Sequence, residues 1–250
     1  RAYRDRARYL ADPDFEDPPV AMLTSEAYAA GLRAGIDPHT ATPSSVEDVA
    51  PVAWSPQTTH YSVVDDDGLA VSTTYTLEYS YGSRITVAGA GFLLNNEMGD
   101  FNPGPGLTTE AGLIGTTPNL AEPEKRMLSS MSPTILTDPE GRLLAVVGSP
   151  GGRTIINSVL QVSLNLMEFD MGILEAVEAP RIHHQWLPDE IELEAAAWPA
   201  AVLDGLRDRG HRVLLEDDTQ GHAHSILRAP DGRLHGAPDP RDRDAAAVGH

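Results

Sequence analysis

The residues best suited to chemistry lie where a polar run stops and a strand begins. The stretch from Ala41 to Gln57 is rich in Pro and Ser and shows little periodicity, the pattern of a linker or exposed loop. It gives way at once to Thr58-Thr59-His60-Tyr61-Ser62-Val63-Val64. A threonine hydroxyl alone is a weak nucleophile. A threonine whose preceding peptide bond has been cut, however, carries a free α-amine beside that hydroxyl, and such an amine titrates at about 7.7–8.0. One residue then supplies both nucleophile and base.

Other groups offer weaker chemistry. Gly148-Ser149-Pro150-Gly151-Gly152 follows an apolar strand and opens a long helical pattern. Its backbone N–H groups gather at a helix N-terminus, a place that stabilises an anion or a developing oxyanion. The same residues suit a tight strand-to-helix turn with no ligand, and their spacing is neither a dinucleotide fingerprint nor a phosphate loop. Glu97 and Asp100, within Asn95-Asn96-Glu97-Met98-Gly99-Asp100, face the same way on a turn and can hold an ammonium group; a polar loop is the simpler account. Ser129 and Ser130 pair two hydroxyls ahead of a strand, which is also ordinary capping chemistry. Asp65-Asp66-Asp67 with Gly68 reads as a solvated turn rather than a cation site. His183 and His184 are adjacent and cannot face one site together, so a structural role is expected. His60 is expected to be packed or surface-exposed in its strand. No metal ligand set and no cofactor motif emerges.

These residues need elements to position them. Residues 60–64 and 69–77 read as strands joined by a hairpin turn at Asp65–Gly68. A second hairpin runs from Thr134–Leu136 through Asp138–Gly141 to Leu143–Val147. From Thr154 to about Met171, Ile155, Val159, Val162, Leu166 and Phe169 recur at helical spacing, with Ile156, Leu160 and Met167 widening the apolar face. Helices are also expected at 2–10, at 25–35 with Thr24 or Ser25 as N-cap, and near 173–179 and 199–209. Residues 212–215 and 225–228 read as strands, with a hairpin turn at Asp231-Gly232. The tail beyond Pro240 is expected to fray. Strands, a helical layer and more strands indicate a layered α+β fold.

Composition narrows the function. The chain has 250 residues, with 18 Lys and Arg against 37 Asp and Glu, a formal net charge of −19. That field repels phosphate backbones and anionic lipid, so no nucleic-acid partner is expected. Apolar residues make up 41%, ordinary for a folded globule, and no window is apolar enough to span a bilayer. The absence of cysteine excludes disulfides, thiolate metal sites and cysteine nucleophiles. The chain opens on Arg1 without Met or a signal-like stretch, and is expected to begin after processing or to be part of something longer.

The segment Thr58-Thr59-His60-Tyr61-Ser62-Val63-Val64-Asp65 resembles the start of the small subunit of γ-glutamyltransferases, members of the N-terminal nucleophile hydrolase superfamily. The resemblance continues, in order, through Thr74–Leu77, Leu93–Phe101, Arg126–Thr134, Gly148–Gly152 and Ala179–Pro188, while Tyr9–Phe15 resembles the end of the large subunit. It implies a four-layer αββα sandwich, with residues 1–57 the C-terminal remnant of a large subunit and 58–250 the small catalytic subunit. It implies self-cleavage between Gln57 and Thr58, after which Thr58 attacks glutathione or another γ-glutamyl amide and passes the acyl group to water, an amino acid or a peptide. Thr76 then corresponds to the threonine that orients the nucleophile, and Gly151 and Gly152 to the oxyanion pair. Glu97 and Asp100 correspond to the grip on the substrate α-ammonium, and Ser129 and Ser130 to that on its α-carboxylate.

Glu78 stands where many members have Asn and others Glu, and is expected at the substrate. The segment from Pro103 to Gly115 lacks the aromatic lid residue of some bacterial relatives. An arginine for the α-carboxylate is expected from the large subunit, the partner in a heterodimer, and nothing in this chain matches it. No cofactor is implied; export to the periplasm or the extracellular space is. Two rival readings remain: a cephalosporin (glutaryl) acylase-like amidohydrolase of the same fold, and an uncleaved, non-catalytic binding protein.

Overall fold

The computed structural model describes residues 1–46, 58–195, 198–217 and 219–249. Gln57 and most of the expected linker therefore lie outside the described residues. In chain order the elements are α1 (Ala2–Tyr9), α2 (Val20–Leu23), α3 (Glu26–Ala34), β1 (Thr58–Val64), β2 (Ala70–Thr76), β3 (Thr134–Thr137), β4 (Leu143–Val147), α4 (Thr154–Met167), α5 (Ile173–Glu178), β5 (Ile182–His183), β6 (Ile191–Glu194), α6 (Ala200–Asp208), β7 (Val213–Glu216), β8 (Ser225–Arg228) and β9 (Leu234–Ala237). Helices and antiparallel sheets share one chain, the α+β class expected.

The chain forms two compact units. One comprises Arg1–Trp54, Glu97–Ser129 and His184–Leu215; the other comprises Ser55–Asn96, Ser130–His183 and Glu216–His250.

In the first unit, Ser25 rather than Thr24 caps α3, its Oγ accepting from the Tyr28 amide at 3.2 Å. Thr24 instead donates to the Val20 carbonyl at 2.8 Å. Ala7, Ile114, Trp186 and Leu187 form the core, with Tyr3 and Val46 against it. The Asp12 carboxylate receives the Arg126 amide at 2.7 Å and its guanidinium Nε at 3.1 Å, which holds Asp12 well below the usual carboxylate range. The described start of the expected linker is pinned rather than loose. Ala41 donates to the Arg209 carbonyl at 2.7 Å, and the Ser44 amide and hydroxyl reach Asp189 at 2.9 and 3.0 Å.

In the second unit, β1 and β2 pair antiparallel from Thr58↔Thr76 to Val64↔Ala70. Asp65 closes their turn, accepting from the Leu69 amide at 2.8 Å, while Gly68 takes φ 85°. A four-stranded antiparallel sheet has the order β3-β4-β8-β9. Ala145, Val147, Ile155, Val159, Val162, Ile173, Ala176 and Val177 form the core joining that sheet to α4 and α5.

The helix expected to reach Met171 stops at Met167. Asp170 takes φ 52°, and the Met171 amide turns back to the Asn165 carbonyl at 3.0 Å. Phe169 is thereby left 66% exposed, and Leu160 and Met167 also face outward. The apolar stripe is narrower than its composition suggests. The tail does not fray at its start. Arg241 donates to the Val177 and Ala179 carbonyls, both at 2.9 Å.

Candidate active site

Thr58 is the first residue of β1, and Thr76, its partner across the ladder, is the last of β2. Both are half-buried. The Thr76 hydroxyl accepts the Glu78 amide at 2.8 Å, which turns the chain sharply out of the strand. Glu78 pays for that turn with φ 69°, in the left-handed region that disfavours a glutamate. The next amide, that of Tyr79, donates to Asn96 Oδ1 at 3.2 Å.

The Gly148–Gly152 segment leads from β4 into α4 as expected. Gly151 (φ 130°) and Gly152 (φ 56°) adopt backbone that a side chain opposes, and a Cβ on Gly151 would press on Thr154 Oγ1 and lie 3.1 Å from the Gly221 Cα. Thr154 Oγ1 locks the turn by donating to the Gly151 carbonyl at 2.8 Å. Both glycines stand at the positive end of a fourteen-residue helix, where backbone N–H groups favour negative charge.

Behind this turn lies a buried ion pair to which the sequence reading gave no role. Arg181 donates to the Gln220 and Gly221 carbonyls, each at 2.9 Å, and to Asp239 Oδ2 at 2.6 Å. Burial alone would raise the Asp239 carboxyl; Arg181, together with the amides of Ala223 and Arg241, outweighs it and holds the group below its usual range. The Gly221 backbone, fixed in this way, is what closes on Gly151.

Thr58, Thr76, Glu78, Ser130, Gly151 and Gly152 all belong to the second unit; Glu97, Asp100 and Ser129 belong to the first. Glu97 is buried in a short 3₁₀ helix, Glu97–Asp100. Asn119, another residue without a signal in the sequence, organises this region. Its amide nitrogen donates to the Asp100 carbonyl at 2.7 Å and to Asn102 Oδ1 at 2.9 Å, while its Oδ1 accepts from the Leu128 amide at 2.9 Å. The backbones beside Asp100 and Ser129 are thus tied together. Ser129 is exposed and Ser130 half-buried, the latter's carbonyl accepting from Ser132 Oγ at 3.1 Å.

His60 is buried, with Nδ1 2.8 Å from Thr74 Oγ1 and Nε2 3.1 Å from Ser62 Oγ. Burial, then the neighbouring His224, push its pKa down to about 4. His183 is buried against Asn157 at 2.9 Å, a structural role as expected. Among the described residues no cluster of three or more His, Cys, Asp or Glu could hold a metal ion, and no helix is long and apolar enough to cross a membrane. A cavity of about 430 Å³ in the first unit is lined by Arg4, His184, Trp186, Arg209 and His211, among others, and by none of the candidate residues above.

A profile of the gamma-glutamyltranspeptidase family matches residues 1–249. The chain belongs to the gamma-glutamyltranspeptidase family. It is 46% identical over 253 residues to the glutathione hydrolase proenzyme of Escherichia coli, covering 100% of this chain and 43% of that protein. The chain thus spans less than half the length of that relative. A Helicobacter pylori gamma-glutamyltranspeptidase T380A mutant superposes with a TM-score of 0.68 at 48% identity, over 74% of this chain and 100% of the solved one. This places the chain in the fold of the N-terminal nucleophile hydrolases. The acylase ACY 1 proenzyme of a Pseudomonas is 37% identical over 237 residues, 94% of this chain and 39% of that protein. The gamma-glutamyltranspeptidase profile covers all the residues whose roles the sequence suggested.

Proposed function

We propose that this chain is the catalytic part of a γ-glutamyltransferase with glutathione hydrolase activity. The observation that carries the reading is Thr58 itself: a strand-opening threonine facing Thr76, in a chain 46% identical to a glutathione hydrolase proenzyme. In this reading Thr58 Oγ1 attacks the carbonyl of Gln57. The peptide nitrogen leaves as the free α-amine of Thr58, and water releases Gln57 from the resulting ester. Residues 1–57 then remain as the end of a large subunit, and 58–250 form the small one.

In turnover, that amine takes the proton of Thr58 Oγ1 as it attacks the γ-amide carbonyl of glutathione or another γ-glutamyl compound. The amide bond breaks, its nitrogen leaves protonated, and a γ-glutamyl ester forms on Thr58. Water then yields glutamate; an amino-acid or peptide amine yields a new γ-glutamyl amide. Gly151 and Gly152 serve the oxyanion, and Thr76 orients the nucleophile. Glu97 and Asp100, with Glu78 nearby in sequence to Thr76, take the α-ammonium, and Ser129 and Ser130 the α-carboxylate. Charge-assisted hydrogen bonds of this kind are worth about 1.5–3 kcal/mol each. The reaction needs no cofactor. The partner is the remaining large subunit of the same precursor, and the site of action is the periplasm or extracellular space.

Thr58→Ala in the full-length precursor is expected to abolish both splitting on a denaturing gel and release of p-nitroaniline from γ-glutamyl-p-nitroanilide. A Thr58→Ala protein that still splits would overturn the self-cleavage. The acylase relative motivates a second reading, transfer of a glutaryl group. A glutaryl chain carries no ammonium for Glu97 and Asp100 to hold, so preference for the glutaryl anilide over the γ-glutamyl one would favour it.

A further inference from the structure

Along β1 alternate side chains share a face, so Thr58, His60 and Ser62 point the same way. Burial separates that face from the other: His60 is 3% exposed, Tyr61 52%. The His60 ring is held at both nitrogens. Ser62 Oγ gives its one proton to the His224 carbonyl at 3.1 Å, so it must accept from His60 Nε2–H. That fixes the tautomer, and Nδ1 accepts the Thr74 hydroxyl, with Thr74 directly opposite His60 in the ladder. The carbon edge of the ring fills the space over Gly148. A Cβ there would overlap Cε1, Nδ1 and Nε2, and Gly148 does not have the positive φ that would otherwise explain a glycine. The ring therefore touches the strand that begins with Thr58, the strand that ends with Thr76, and the first residue of the turn that carries Gly151 and Gly152.

We infer that His60 is a positioning residue, a hydrogen-bonded spacer that sets the separation between the Thr58 strand and the Gly148–Gly152 turn. The inference rests on the reading of Thr58 as nucleophile and deepens it: His60 touches no reacting atom, and what it controls is the reach of Thr58 towards an acyl carbon held at the turn. A displacement of about 1 Å in such an arrangement costs on the order of 100-fold in rate.

The test uses the full-length precursor and γ-glutamyl-p-nitroanilide. His60→Ala is expected to lower kcat by about 30-fold or more with KM within about threefold, because the α-ammonium and α-carboxylate contacts lie elsewhere. Free imidazole, filling the vacated space, is expected to restore part of kcat. Gly148→Ala, which pushes the ring away from the turn, is expected to show the same split. The double variant His60→Ala, Gly148→Ala is expected to lose less than the product of the two single losses, since the new methyl enters the space the ring has left. Should His60→Ala fail to accumulate as folded protein, Gly148→Ala with His60→Asn carries the same kinetic comparison. Unchanged kcat in these variants, or strictly multiplicative losses, overturns the inference. Mass-spectrometric trapping of the γ-glutamyl ester separates the two ways of failing. If wild-type Thr58 is acylated while the variants keep full kcat, the spacer role alone falls; if wild-type Thr58 is never acylated, both it and the nucleophile reading fall.

Discussion

At Glu78 the backbone and the side chain disagree. Its left-handed φ costs a glutamate about 1–2 kcal/mol, and its amide is committed to Thr76 Oγ1, so the kink cannot relax without releasing the threonine. Asn tolerates this conformation better than Glu does. Glu78→Asn is therefore expected to raise stability by about 0.5–1 kcal/mol, read as a higher urea midpoint at unchanged slope, whereas Glu78→Val lowers it. His60 makes a second residue-scale prediction. Its folded pKa, about 4, lies below its ordinary 6.5, so the unfolded chain takes up a proton that the folded one refuses. Stability must rise as pH climbs from about 4 to 6.5, then level off. His184 and His224 are lowered too, mainly by burial, and act in the same sense. His60→Asn should flatten the curve in that window but not abolish it; an unchanged slope would show that His60 takes up its proton equally in the folded and unfolded chain.

At the scale of elements, short irregular segments matter more than helices. Asn119 links the Asp100 turn to the backbone just ahead of Ser129 through three hydrogen bonds, and the residue is 5% exposed. Asn119→Ala leaves buried partners unsatisfied and is expected to cost about 2–4 kcal/mol. In the proposed reaction it should raise KM for the γ-glutamyl donor far more than it lowers kcat, which steady-state kinetics on the anilide will reveal. The regular elements were largely legible: the helical period that opens at Thr154, the Asp65–Gly68 turn and the Thr134–Val147 hairpin all follow from residue types. Asn119 was not, because a side-chain amide that bridges two backbone segments remote in sequence has no local period. Nor was the end of α4, where the apolar pattern continues through Phe169 but Asp170 turns the backbone first. Arg181 and Asp239 sit 58 residues apart and meet only through the fold.

At the scale of the molecule, a net charge of −19 sets a uniform term that no single pair reports. Several of the ion pairs, such as Arg207–Asp204 and Arg233–Asp231, are exposed, where solvent screening leaves them little weight. Mutual repulsion among carboxylates should outweigh them. Raising monovalent salt from about 0.05 to 0.5 M shortens the screening length well below 10 Å and is expected to increase the melting temperature by about 2–4 °C. A fall would mean that attractive pairs dominate.

The Arg181–Asp239 pair has a bearing on how the polypeptide tolerates shortening. Asp239 is completely enclosed, and it neutralises a guanidinium that is 2% exposed. Trimming back past residue 239 strands a positive charge in the interior directly beneath the glycine turn. A chain cut just after Arg241 should thus be tolerated far better than one cut before Asp239, whose loss is abruptly disabling.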